Sequence, residues 1–109
     1  MSHPNKVKGT RFESDVANYL TARKPYPVER RASHGAADRG DLIGVPDWVV
    51  ECKNVQAWAK GLHLFVYEAE CEAENAGVPF GAVVVKRRNR PVEDAYVVMS
   101  LRQFVEVLP

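Results

Sequence analysis

The chain has 109 residues, enough for one modest hydrophobic core and too few for two, so residues 1–109 should form a single domain with one site. With 46% hydrophobic and 27% charged residues it is no disordered tail, two cysteines are too few for a disulfide scaffold, and a net charge of +1 supplies no bulk attraction to nucleic acid. No apolar run approaches the roughly 20 residues of a membrane span, and residues 1–6 lack the apolar stretch of a leader, so an intracellular location (cytoplasmic or nucleoid-associated) is expected.

From Gly9 to about Arg23, the positions Phe12, Val16, Tyr19 and Leu20 recur at helical spacing, and Pro25 and Pro27 end the run. Residues 28–33 suit a short strand, followed by a loop through Ser33, His34, Gly35, Ala36 and Ala37. The stretch from Gly40 to Lys53 reads as two strands joined at Gly44, Pro46 and Asp47. If Val45, Pro46 and Asp47 form a three-residue loop closed by Gly44 and Trp48, Asp41 lies directly across from Glu51. Opposed residues share a sheet face with Cβ atoms about 4.5–5.5 Å apart, and the strand period of two puts Lys53 on the face of Glu51. A loop one residue longer or shorter would separate them.

A second helix is expected over 57–76, with Leu62, Phe65, Val66, Ala69 and Ala73 on one side and Gly77 and Pro79 as its stop. Phe80 to Lys86 is a continuous apolar strand suited to the middle of a sheet, and Ala95 to Met99 is another. Ser100 and Gln103 match a capping box opening a short helix that carries Leu101, Phe104, Val105 and Leu108. The order αβββαββα predicts an α/β domain with a mixed five-stranded sheet flanked by helices.

Phosphodiester hydrolysis needs an activated water and a counter-charge for the transition state, which a carboxylate-held Mg²⁺ supplies. One or two protein carboxylates suffice for Mg²⁺, so Asp41 and Glu51 are an adequate pair, with Mn²⁺ as the alternative ion and the backbone carbonyl of Cys52 as a third oxygen. Lys53 would orient the water or offset phosphate charge. The competing reading is a surface salt-bridge cluster, which the apolar Trp48, Val49 and Val50 just before Glu51 disfavour. Asp38 and Asp47 compete with Asp41 for the metal, but Asp38 precedes the strand and Asp47 falls in the turn. Cys52 and Cys71 read as buried small hydrophobes.

Basic residues cluster at Lys6, Lys8 and Arg11, at Arg30 and Arg31, and at Lys86, Arg87, Arg88 and Arg90, while Glu68, Glu70, Glu72 and Glu74 form an acidic stretch. One face is therefore expected to be positive and another negative. The segment 86–90 follows a strand and suits a DNA backbone, since phosphate contacts position a duplex without reading bases.

These motifs resemble the Holliday-junction resolvases of the archaeal type and their phage relatives, within the PD-(D/E)XK nuclease superfamily. Lys8, Gly9 and Glu13 match the opening Lys-Gly-x-x-x-Glu of that family. Arg31, Ser33, His34 and Gly35 match its basic residue and loop, Asp41, Leu42 and Ile43 its Asp before an apolar pair, and Glu51, Cys52 and Lys53 its E-x-K. Gly77, Pro79 and the run to Lys86 match its later strand. The gap from Asp41 to Glu51 is shorter than is usual in the archaeal enzymes. The resemblance implies a restriction-endonuclease-like fold in which Glu13, Asp41 and Glu51 serve the metal, Lys53 is catalytic, and a homodimer cuts four-way DNA junctions. Glu13 has a competing role, because Thr10-x-x-Glu13 is also a capping box. His34 could contact phosphate or assist proton transfer, or simply be exposed. A restriction or repair nuclease acting on another DNA structure, and a non-catalytic DNA-binding module of the same fold, are the alternatives.

Overall fold

Helix α1 runs from Pro4 to Arg23 in the computed structural model, which describes residues 4–32 and 40–109. It starts five residues before the expected Gly9, with a proline at its first position, where the missing N–H costs nothing. Val7 is exposed, so it offers periodicity no buried apolar position by which to extend the helix. Thr10 and Glu13 are consequently interior helical residues, and the capping-box reading of this pair is corrected.

Strands β1 (Glu29–Arg30) and β2 (Leu42–Ile43) pair antiparallel, with Glu29 opposite Ile43 and Arg30 opposite Leu42. Strand β3 (Trp48–Lys53) pairs in parallel with β4 (Phe80–Val85), and β4 pairs antiparallel with β5 (Tyr96–Val98). The expected five-stranded sheet is therefore two sheets, one of two strands and one of three, in an α/β domain. The break lies between β2 and β3. Gly40 and Gly44, with φ of 94° and 107°, bracket β2 and hold it to two residues.

Helix α2 (Trp58–Ala76) connects the parallel strands and ends at Gly77, whose left-handed φ of 71° lets its N–H reach the carbonyls of Ala73 and Glu74. Alternation along β4 divides the core. Val83 and Val85 pack with Ala69 beneath Trp58, Leu62, Phe65 and Val66. Val84, Val50 and Cys52 pack on the other face with Phe12, Val16 and Ala17 of α1. A 3₁₀ turn over Val92–Asp94 leads into β5. No helix among the described residues is long and apolar enough to cross a membrane.

Helix α3 (Leu101–Val107) carries the expected cap, Ser100 Oγ accepting from the Gln103 N–H at 3.3 Å. The Gln103 side chain does not turn back to complete the box. It is buried against β4, its Oε1 accepting from Gly81 N–H at 2.8 Å and its Nε2 donating to Gly81 O at 2.6 Å. Since β5 covers only Val83–Val85, this amide stands where a longer β5 would have continued the ladder. Leu101, Phe104, Val105 and Leu108 are left exposed.

Candidate active site

A residue's N–H and C=O share one edge of an extended strand, so β3 alternates its hydrogen bonds between two sides. Lys53 O accepts from Lys86 N–H on the β4 side at 3.0 Å, while Val50 O accepts from Asp41 N–H on the other at 3.0 Å. The next donor on that edge, Cys52 N–H, is taken at 2.8 Å by Asp41 Oδ2. The aspartate side chain thus replaces a backbone partner at the break between the sheets, which fixes its carboxylate beside β3. The Cys52 carbonyl faces the same edge.

Glu51 is only 4% exposed, and its Oε2 has no hydrogen-bond partner. Burial, then the nearby charge of Asp41, then Glu72 on α2 push its carboxyl up to about 10. A carboxyl so placed keeps its proton at neutral pH, and a positive charge beside it would favour the ionised form. Lys53 shares its face, as the period of two requires, but its ammonium lies 3.7 Å from Glu68 Oε2 and 4.7 Å from the centre of the Phe65 ring.

Glu13 reaches across from α1 to Arg30, with Arg30 Nε donating to its Oε1 at 3.1 Å. It lies close enough to help raise the Cys52 thiol, which burial chiefly, then Asp41, Glu13 and Glu51, push well above the usual thiol range. Cys52 is accordingly a packed hydrophobe, as read from sequence, and Cys71 is half-buried and unbridged. Arg31 Nε donates to Gly40 O at 3.0 Å, so Arg30 and Arg31 brace the approach to Asp41. Asp47, with φ of 69°, occupies the turn before β3. Ser33, His34 and Asp38 lie outside the described residues.

Lys8 and Arg11 are exposed on α1. The basic loop after β4 is folded onto the protein in part: Lys86 Nζ donates to Arg87 O at 3.4 Å, Arg87 stacks 4.6 Å above Tyr96, and Arg90 pairs with Asp94 at 3.0 Å. Arg88 donates to Asn54, whose Nδ2 donates to Lys8 O at 3.5 Å. These contacts gather α1, the end of β3 and the basic loop at the edge nearest Lys53.

Sequence reading missed Glu72. It was seen only as part of an acidic stretch, although it stands three residues after Ala69 and beside Ala73, on the buried face of α2. An acid at a helical core position was the available signal. A cleft of about 470 Å³ lies across the sheet on the α1 side, lined by apolar groups such as Tyr19, Leu20, Tyr26, Trp48 and Val84 and not by Asp41, Glu51 or Glu72. No family model, curated protein or solved structure matches the chain.

Proposed function

We propose that the chain is a divalent-cation-dependent endodeoxyribonuclease, a restriction-endonuclease-like domain that hydrolyses phosphodiester bonds and acts on four-way DNA junctions as a homodimer. The observation that carries it is the meeting of Asp41 and Glu51 across the β2–β3 break, beside a partnerless buried carboxylate oxygen of Glu51. An all-oxygen, strongly anionic cradle fits a hard cation such as Mg²⁺ or Mn²⁺. Asp41, Glu51 and the Cys52 carbonyl would hold it, and when bound it supplies an acidified water and neutralisation of the phosphate. Lys53 carries a charge to the same face for the developing oxyanion, and Glu13 holds Arg30 in place next to that centre. The exposed Lys8, Arg11 and Arg88 bring positive charge to the same edge for the DNA backbone. Junction preference comes from the family resemblance.

The test is cleavage of a synthetic four-way junction and of linear duplex with Mg²⁺. The expected result is junction cleavage that falls roughly a hundredfold or more in Asp41→Asn. Equal cleavage by that variant overturns the assignment, and preference for linear duplex moves the enzyme to the restriction or repair type.

The homodimer draws support from α3, whose Leu101, Phe104, Val105 and Leu108 lie exposed around one short helix. Two-fold packing sets such a stripe against its own copy, apolar on apolar. Phe104→Glu should convert a dimer to a monomer by light scattering, and a monomeric wild type would remove the proposal.

A further inference from the structure

The acidic centre does not end at Asp41 and Glu51. Carboxylate oxygens of Glu51, Glu68 and Glu72 all lie within 4.8 Å of one another. Glu68 and Glu72 are one helical turn apart on α2, where like charges repel, and Glu72 is a buried acid on that helix. Lys53 is held against this group, at 3.7 Å from Glu68. Independently of the clustering, Glu51 is more than nine-tenths buried and has a carboxylate oxygen with no hydrogen-bond partner. A buried anionic oxygen is costly unless a positive charge or donor meets it.

We propose that Glu51, Glu68 and Glu72 form a second divalent-cation position, walled by β3 and α2, distinct from the one at Asp41 and joined to it through Glu51. This rests on the nuclease reading for its role, where a paired site would act on both the attacking and the leaving oxygen. Three carboxylates and no nitrogen or sulfur ligand select Mg²⁺ or Mn²⁺ over softer ions. Glu68 is then shared between the cation and Lys53. Loading the position releases Lys53 from its ion pair, so that the ammonium becomes available on the face where Glu51 lies.

Mn²⁺ binding to the full chain, followed by calorimetry and by the electron paramagnetic resonance of free Mn²⁺, tests the site without reference to cleavage. Wild type is expected to take up two ions. Glu72→Gln should lose one or bind it roughly tenfold or more weakly, while Asp41→Asn keeps the ion at α2. Circular dichroism confirms that the variants are folded, and Glu72→Gln, which keeps the shape of the buried side chain, should fold about as well as wild type. Wild-type stoichiometry and affinity in Glu72→Gln, or no Mn²⁺ uptake by wild type, overturns the second position. Junction cleavage measured on the same samples keeps the two readings apart: cleavage with unchanged Mn²⁺ binding in Glu72→Gln sinks only the second position, and two bound ions without any DNA cleavage sink only the nuclease.

Discussion

Gly81→Ala should destabilise the protein by roughly 3 kcal/mol or more, read as a loss of about 15 °C in thermal midpoint by circular dichroism. A Cβ at residue 81 would sit 2.2 Å from the carbonyl oxygen and 2.6 Å from the carbonyl carbon of Ala69 in α2. Neither atom belongs to a side chain that could rotate away, so the helix itself must retreat from β4. Gly81 has no freedom to yield, because β3 holds it in register opposite Val49 and the Gln103 amide holds its N–H and C=O. Gly77→Ala is the control. Its φ of 71° makes a side chain there strained by about 1 kcal/mol, but no atom lies within 4 Å, so its loss should be several-fold smaller. If the two variants melt together, the close approach of α2 to β4 is not what holds the fold. That approach also serves the site, since it carries Glu68 and Glu72 to Glu51. Withdrawal of α2 in Gly81→Ala should weaken Mn²⁺ uptake at the position those residues wall.

What could be read from sequence follows a physical division. The order of elements was readable because apolar periodicity and Gly or Pro stops mark helices and strands locally, as at Leu62 to Gly77 and Phe80 to Lys86. The sharing of a face by Glu51 and Lys53 follows from the period of two alone. Periodicity shows that a helix has an apolar stripe but not which way the stripe turns. Helix α3 has such a stripe, yet the polar Gln103 decides its orientation, because two buried backbone groups of Gly81 need partners more than the stripe needs cover. The division of the sheet was equally hidden. A hairpin reading assumes that backbone pairs with backbone, whereas here the Asp41 carboxylate takes the Cys52 N–H. Glu72 escaped for the reverse reason: its meeting with Glu51 depends on how α2 lies on the sheet, and that depends on the missing side chain of Gly81.

Glu51→Gln should make the metal-free protein more stable near pH 8 while abolishing its proposed cleavage. Glu51 is pushed up to about 10 in the folded chain from an ordinary value of 4.5, by burial first and then by Asp41 and Glu72. The folded state therefore binds a proton that the unfolded state has released over the window between those two values. Stability from this group is fully present below about pH 4.5 and is lost as pH rises, at up to about 1.4 kcal/mol per pH unit, until the folded group itself ionises. Between pH 5 and pH 8 the loss amounts to roughly 2–4 kcal/mol once coupling to the neighbouring carboxylates is allowed for. Glutamine keeps the shape and carries no charge, so its melting temperature in chelator should vary far less with pH across that window. The wild type should cross below the variant as pH rises. A divalent cation favours the ionised carboxylate, so Mg²⁺ or Mn²⁺ should raise the wild-type midpoint more at pH 8 than at pH 5 and leave Glu51→Gln nearly unmoved. Parallel pH profiles for the two proteins would mean that Glu51 ionises freely in the fold. The buried carboxylate would then lose its standing as the centre of a cation site.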